Sequence, residues 1–551
     1  MGRLRWLPRD GWSGVALAIH LVIAFLLVYP LARLFTASFI GEGGGISLEN
    51  YVQFFRYRYY RGSVWNSFQV SSLVTLGALV VGVPLAFLVT RFNIPGKAIV
   101  RTLAVLPLLS PPFIGAYSWI LLMGRSGYLM TLLQAWGIHL PTIYGMHGIV
   151  LSLTLNLYPF VFLIVSGALM AVDRGLEEAG QSLGSSPLRT FFTVTLPVTL
   201  PSVLAGALLV FLSAFAEFGS PMIIGEGYTV LPTLIYSLFI NELGGNPTMA
   251  STASSVLVLC CTAVLLLQRW YSRRKVIQMS SLARPEVQRL RPVARTLVTG
   301  AVYLVVAVSL LPSLVILIIS FFKSRGPVLY PEFSLDNYAN IFFSVPRAIL
   351  NSFFLSGLSS ALDVLVGTLL GYILIRRPSP VTTVLDSVVM LPYAIPGTVI
   401  GVAYIVAFNR PPLLLTGTFL ILVLAYFVRR LPYSVRASAA ILQQIDPNVE
   451  EASVSLGVPP LRSFFKITAR LMAPGIIAGG ILTWVQTITE ISSTIFLFFG
   501  AWATMTVIIY RQVISSNFGS AAAASSLLLL VVFLPLLVWN LWAEEKAMVL
   551  T

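Results

Sequence analysis

Long apolar stretches alternate with short polar ones along the whole chain. Twelve of these stretches are apolar enough to be candidates for crossing a hydrocarbon core about 30 Å thick, which takes about 20 residues. They predict helices, because barrel strands are segments of about 10 residues with alternating hydrophobicity. The shortest candidate is 413–428. The predicted spans are 13–40, 64–90, 98–123, 144–170, 200–224, 251–267, 296–322, 349–375, 384–408, 413–428, 474–498 and 520–541.

Composition agrees with a chain that lies in a bilayer. Of the 551 residues, 57% are hydrophobic and 10% are charged, whereas soluble domains carry about 25% charged residues. The first apolar stretch is longer than the 7–15 apolar residues of a signal peptide, and no small-residue cleavage pattern follows it. We therefore expect an all-α integral membrane protein whose first span is retained.

Lysine and arginine residues predict the orientation. With the N-terminus in the cytoplasm, the inner segments hold 25 of the 35 basic residues and the outer segments hold 9. Basic residues concentrate on the cytoplasmic side of membrane proteins. This bias favours a cytoplasmic N-terminus, and it also explains the net charge of +15 without any binding of nucleic acid.

Two polar loops between spans are near copies of each other. Residues 173–192 (DRGLEEAGQSLGSSPLRTFF, loop 1) and 446–465 (DPNVEEASVSLGVPPLRSFF, loop 2) are identical at 12 of 20 positions, at a constant offset of 273. One such loop would be read as an ordinary amphipathic connection. Two matching copies instead favour a shared function.

Each loop predicts a short helix, a turn and a second short helix. Asp173 and Asp446 suit helix N-caps, and acidic residues in the first turn are favoured by the helix dipole. Gly184 and Gly457 stand where a helix ends in the left-handed conformation. Proline at Pro187 and Pro460 then suits the start of the next helix.

The repetition extends over both halves of the chain. WNSF at 65–68 matches LNSF at 350–353, and LPLLSP at 106–111 matches LPYAIP at 391–396, both at an offset of 285. Six spans per half place both loops on the same side, so the halves are parallel repeats. The predicted domains are a first transmembrane repeat (1–270), a cytoplasmic linker (271–295) and a second transmembrane repeat (296–551).

Two glutamates and four prolines lie at predicted membrane depth in matching positions. Glu217 and Glu490 share the offset of 273, and a carboxylate in lipid costs at least about 2.5–3.5 kcal/mol unless it faces protein or water. They could line a pathway that favours a cation, or they could be structural hydrogen-bonding groups. Prolines free carbonyls that are tolerated only in protein or beside a cavity. The further pathway candidates are Pro107, Pro111, Pro392 and Pro396.

Other chemistry has little support in the sequence. Cys260 and Cys261 are adjacent within an apolar run, and the three histidines are scattered, so neither a disulfide framework nor a metal cluster is expected. The glycine-rich segments at 41–45 and 93–100 lack the complete phosphate-binding pattern. No convergent group of side chains suggests an intramembrane enzyme, and a secondary transporter would not need the repeated loops.

The chain resembles the permease subunits of type I ABC importers. Their signature E-A-A-x-x-x-G-x9-I-x-L-P is matched in loop 1 from Glu178 and Ala179 to Pro197, and in loop 2 from Glu451 and Ala452 to Ile467. Loop 2 departs at Ala469 and Arg470, where Leu and Pro are expected. The segment LPYAIPGTVIGVAY and the fusion of two repeats look most like bacterial ferric-iron permeases, although similar fused permeases handle thiamine, phosphonate or polyamines.

The resemblance implies that each loop is a coupling helix that docks on a separate ATPase subunit. It implies two ATPase copies, a periplasmic substrate-binding protein, and location in a bacterial inner membrane. It also implies no catalysis and no cofactor in this chain, because ATP and Mg²⁺ would be bound by the ATPase. The coupling residues are then Glu177, Glu178, Ala179, Gly184, Pro187, Glu450, Glu451, Ala452, Gly457 and Pro460.

Overall fold

The first half of the chain is helical throughout its membrane-spanning segments. The computed structural model describes residues 11–41, 43–125, 127–172, 174–240, 245–272, 290–326, 328–411 and 413–549. Two π-helical turns, Ala24–Val28 and Phe191–Thr195, lie within these helices. The helices are α1 Gly11–Ile23, α2 Tyr29–Ser38, α3 Glu49–Arg56, α4 Arg58–Arg91, α5 Lys97–Leu109, α6 Pro112–Met123, α7 Tyr128–Ala135, α8 Met146–Ala171, α9 Arg174–Ser182, α10 Pro187–Thr190, α11 Leu196–Phe215, α12 Gly219–Ile224, α13 Leu231–Phe239 and α14 Pro247–Ser272.

The second half repeats this order and adds two small antiparallel hairpins. Strands β1 Phe322–Arg325 and β2 Val328–Phe333 pair with Ser324 opposite Leu329, and β3 Asn409–Arg410 pairs with β4 Leu413–Leu414. A π-helical turn is found at Phe464–Thr468 and a 3₁₀ turn at Gly500–Trp502. The helices are α15 Pro292–Ile319, α16 Asp336–Ser344, α17 Pro346–Arg376, α18 Pro380–Ala394, α19 Gly397–Phe408, α20 Phe419–Leu442, α21 Pro447–Ser455, α22 Pro460–Ser463, α23 Ala469–Leu471, α24 Ala473–Ile488, α25 Thr494–Leu497, α26 Met505–Ile514 and α27 Phe518–Val549.

The predicted membrane spans correspond to long apolar helices. In the described parts of the chain, eight helices are long and apolar enough to cross a bilayer, and three bent pairs raise the number to eleven. Most of the predicted linker, residues 273–289, lies outside the described residues.

The tenth predicted span along the chain, 413–428, is displaced and longer than predicted. The helix is α20, which begins at Phe419 and continues to Leu442. The prediction stopped at 428 because Arg429 and Arg430 end the apolar run. Both arginines lie inside the helix, so their assignment to the inner polar segment was wrong.

Four of the predicted spans are broken rather than continuous. The third span of each half bends by 96° or 107°, between α5 and α6 and between α18 and α19, where Pro111 and Pro396 precede the second helix. The predicted spans 200–224 and 474–498 are interrupted near Glu217 and Glu490, where α11 and α24 end. The proline pattern predicted interruptions in the two third spans, whereas the breaks near Glu217 and Glu490 were not predicted.

The first span of each half packs against the opposite half. The α1–α2 span contacts α17, α18 and α19 as well as α14, and the Tyr404 hydroxyl donates to the Leu26 carbonyl at 2.8 Å. In the second half, α15 packs on α5 and α6, and Ser118 donates to the Pro312 carbonyl. The two halves are therefore joined by exchanged helices.

Candidate functional site

Loops 1 and 2 fold into the same helix-turn-helix. Helix α9 is followed by Gly184 at φ 87° and then by α10, while α21 is followed by Gly457 at φ 89° and then by α22. Only glycine adopts this left-handed conformation without steric cost. In each loop a backbone N–H after the glycine bonds back into the first helix, from Ser185 to Gly180 at 3.1 Å and from Val458 to Ser453 at 3.2 Å. This pattern is a Schellman motif.

The start of loop 2 is capped as predicted. The Asp446 side chain accepts a hydrogen bond from the Asn448 backbone N–H at 2.9 Å, and Pro447 occupies the first helical position. Asp173, the predicted cap of loop 1, lies outside the described residues. Both loops lead into a π-helical turn at the same relative position, although loop 2 lacks the Leu-Pro ending.

The first glutamate of each loop points inward and ties the loop to its own half. Glu177 accepts from Arg91 at the end of α4 and from Thr195, both at 2.7 Å. Glu450 accepts from the Tyr372 hydroxyl of α17, and from Thr468 at 3.4 Å. A loop held in this way moves together with its span.

The outer face of each loop is exposed and partly apolar. Leu183 and Leu456, at matching positions before the turn, are 88% and 86% exposed. Sequence reasoning missed these leucines, although an apolar residue next to an exposed turn was a visible signal. Most of the predicted coupling residues share this exposed face: Glu178, Ala179, Gly184, Glu451, Ala452 and Gly457. Pro187 and Pro460 begin α10 and α22.

A cavity of about 410 Å³ lies between the two halves. Both predicted pathway glutamates, Glu217 and Glu490, line it together with Pro111, Pro392 and Pro396. Pro107 is buried beside it and is not part of the lining. The symmetric positions inferred from the offset therefore do converge on one space.

The two glutamates have different surroundings. Glu217 Oε1 accepts from the backbone N–H groups of Gly219 at 3.0 Å and Ser220 at 3.4 Å. Glu490 Oε1 accepts from the Ser493 N–H at 3.1 Å, and it also pairs with Arg429. Arg430 reaches Glu490 Oε2 at 2.5 Å. Two guanidinium groups flank the Glu490 carboxylate. Glu490 therefore does not present an unpaired negative charge to the cavity.

The asymmetry arises at one pair of positions in the fourth spans. At an offset of 273, Arg429 and Arg430 of α20 correspond to Asn156 and Leu157 of α8. Asn156 donates to the Pro107 carbonyl at 2.7 Å and to the Ser110 carbonyl at 3.1 Å, and so satisfies the carbonyls freed at the break after α5. The sequence did not predict that the two arginines line the cavity, because they follow an apolar run and were assigned to a cytoplasmic segment.

The balance of charge limits what the cavity can attract. Its charged lining groups are two glutamates and two arginines, so the symmetric acidic pair is neutralised. In the described part of the chain, no three His, Cys, Asp or Glu side chains are grouped closely enough to hold a metal ion. The arrangement can hold a polar solute near Glu217 and the arginines. Whether these residues contact substrate stays a prediction.

The chain matches a known protein family along both halves. Residues 78–277 and 363–542 each match the family described as the binding-protein-dependent transport system inner membrane component. The two matches together cover more than half of the chain, and each contains one of the repeated loops.

Individual relatives cover either the whole chain or one half of it. The chain is 29% identical over 533 residues to the ferric transport system permease protein FbpB of Actinobacillus pleuropneumoniae, covering 92% of this chain and 75% of that protein. It is 27% identical to the Fe(3+)-transport system permease protein FbpB 2 of Haemophilus influenzae, covering 83% and 85%. It is also 32% identical to the molybdenum transport system permease protein ModB of Escherichia coli, covering 38% of this chain and 91% of that protein.

Proposed function

Because this chain belongs to the family of binding-protein-dependent transport system inner membrane components, it is a permease subunit of an ABC importer, and we propose that its cargo is ferric iron. The proposal is supported by the relatives that match over most of the chain, whose names specify ferric transport. The fused arrangement of two repeats is common to this chain and to those matches.

The proposed complex contains two ATPase subunits and one periplasmic binding protein. Each repeated loop presents an exposed leucine beside a rigid turn, and its first glutamate holds it to a membrane span. A loop of this kind suits the transmission of a push from an ATPase to the span. The chain itself needs no resident cofactor, since ATP and Mg²⁺ would be held by the ATPase. In this arrangement the N-terminus lies in the cytoplasm of a bacterium and the loops face the same side.

A second candidate cargo is an oxyanion. Arg429 and Arg430 line the central cavity, and paired guanidinium groups are suited to phosphate-like and carboxylate ligands. Relatives named for molybdenum and for 2-aminoethylphosphonate transport match single halves of the chain. This observation favours an anion, or a metal carried with an anionic ligand, over a bare cation.

Uptake into proteoliposomes distinguishes these cargoes. The chain is reconstituted with the ATPase and the binding protein that co-purify with it, and radioactive ferric iron and molybdate are supplied in separate reactions. We expect ATP-dependent uptake of iron and none of molybdate. Uptake of molybdate alone would reject ferric iron as cargo, and ATP-independent uptake would reject the ATP-driven mechanism.

The subunit ratio is a separate expectation. The mass of the purified active complex should correspond to one copy of this chain and two ATPase subunits, because each half carries one loop. A complex that requires another membrane chain would contradict the proposal that the two repeats suffice.

A further inference from the structure

At the inner end of the second half, an aromatic side chain of the N-terminal helix α1 packs between other aromatic rings. Trp12 of α1 is 2% exposed, and its ring lies 4.5 Å from that of Tyr372 and 5.2 Å from that of Phe464. Leu369, Ile373 and Ala469 complete the apolar cluster around this contact. The Trp12 side chain therefore fills the space between α17 and the segment that follows loop 2.

The same place in the first half is an open groove. Its volume is about 690 Å³, which lies in the range of small-ligand pockets of about 300–1,000 Å³. Five of its lining residues are the counterparts of the cluster around Trp12, at offsets of 285 on α4 and 273 after loop 1. These residues are Pro84, Phe87, Leu88, Phe191 and Leu196.

Among the described residues, no side chain of α15 lines this groove, whereas Trp12 of α1 fills the corresponding space in the second half. The first spans of the two halves align at an offset of 282, as shown by Ser38 and Ser320, which bond to Tyr51 and Tyr338 in the same way. The π-helical turn Ala24–Val28 adds one residue to the first span and has no counterpart in α15, so the offset before this turn is 283. Trp12 therefore corresponds to Arg295. Arg295 is exposed and does not line the groove, so no ring from α15 fills the space that the indole ring fills in the other half.

The groove is apolar along its length and polar at one end. The Arg91 Nε and the Thr190 hydroxyl line it, are buried, and lack a hydrogen-bond partner. The matching atoms of the second half, Arg376 Nε and the Ser463 hydroxyl, also lack partners, but there Trp12 fills the adjoining space. Buried donors without an acceptor are unfavourable, so those in the groove favour a ligand with an acceptor oxygen. Glu177 neutralises Arg91, so this acceptor need not be a full anion.

The mouth of the groove opens on the surface of a membrane span. Val80 of α4 and Phe192 line it and are 73% and 58% exposed, and Leu76 continues the exposed apolar strip along α4 at 58%. An amphiphile from the bilayer can therefore enter sideways. We propose that the groove binds one phospholipid, with an acyl chain in the place that Trp12 fills in the other half and an ester or phosphate oxygen at Arg91 and Thr190.

Photolabelling tests this site without depending on transport. The purified full chain is placed in nanodiscs that contain a trace of phosphatidylethanolamine with a diazirine on its acyl chain, and labelled peptides are mapped. We expect several-fold more label on 79–92 and 190–196 than on the exposed apolar face of α27 around Leu530 and Leu534. Excess unlabelled phospholipid should compete with the label in the groove.

Two substitutions exchange the properties of the halves. Val83→Trp places a large ring in the first groove from α4, so it should remove the label there and leave the α27 control unchanged. Trp12→Ala should create new label on 369–373 and 464–469. Leu79→Trp fills the first groove from the preceding turn of α4 and replaces Val83→Trp if that variant fails to fold.

Three results would overturn the proposal. The first is equal label on the groove and on α27. The second is groove label that neither filling variant lowers. The third is groove label that disappears when the ATPase and binding protein are added, which would assign the groove to a partner's side chain.

Discussion

Replacing Glu490 with glutamine is expected to lower the free energy of unfolding by about 3–5 kcal/mol, the usual cost of breaking a buried ion pair by removing one partner. The Glu490 side chain is 3% exposed and balances both Arg429 and Arg430. Without its charge, the guanidinium groups of these two neighbouring residues of α20 stay buried and lose their balancing carboxylate. We expect loss of transport as well as lower stability, measured by denaturant unfolding and uptake in the same preparations.

Matched variants separate this effect from a general effect of losing a carboxylate. Glu217→Gln removes the equivalent charge. Glu217 accepts hydrogen bonds from backbone N–H groups, and a glutamine amide oxygen can still accept them. The free energy of unfolding of this variant should therefore change by about 1 kcal/mol or less. Asp386→Asn breaks the more exposed pair with Arg436, 3.0 Å apart, and should also cost about 1 kcal/mol or less.

The residues at the matching positions of the first half suggest a variant that should restore stability. Combining Glu490→Gln with Arg429→Asn and Arg430→Leu copies Asn156 and Leu157 into the second half and removes the uncompensated charges. Stability should then recover, because replacing a whole buried ion cluster is often neutral or stabilising. A Glu490→Gln variant with wild-type stability, or a triple variant no better than the single one, would show that the arginines do not depend on Glu490.

Introducing proline at Gly184 or Gly457 is expected to abolish ATP-driven uptake while the protein stays in the membrane. These residues have φ of 87° and 89°, whereas proline fixes φ near −65°. The turn cannot form, so the two short helices of the loop lose their relative orientation. The spans on either side do not depend on this turn, so expression and membrane insertion should persist.

Milder substitutions make the test specific. No atom lies within 4 Å of a Cβ built on either glycine, so alanine adds only the backbone cost of the left-handed conformation, about 1–2 kcal/mol. Gly184→Ala and Gly457→Ala should therefore reduce uptake less than proline does. Gly44→Ala, at φ 76° in a distant loop with similar free space, is the control. Normal uptake and normal ATPase co-purification in both proline variants would contradict a coupling role.

Sequence patterns predicted the features that are repeated or local. The loops, their glycine turns, the Asp446 cap and the breaks at Pro111 and Pro396 depend on residues close together in the chain, so spacing and residue type were sufficient. The convergence of Glu217 and Glu490 followed from symmetry, because two parallel halves bring matching positions to the same depth.

The features that were missed depend on contacts distant in sequence. Arg430 and Glu490 are 60 residues apart, and charges at the end of an apolar run are normally solvated, so the pairing had no local signal. The exchange of first spans had no local signal either, because α1 and α15 are apolar and their sequences do not indicate which half they pack against. The position of Trp12 beside Tyr372 and Phe464 had no local signal either.

The exchanged first spans have a consequence for biosynthesis. A ribosome releases α1 and α2 into the membrane long before it has made α17, α18 and α19, against which they pack. The α1–α2 span is therefore exposed to lipid until more than 300 further residues have been synthesised. Neither half can complete its folding alone, and a nascent chain interrupted after the first six spans is expected to be a substrate for membrane quality control.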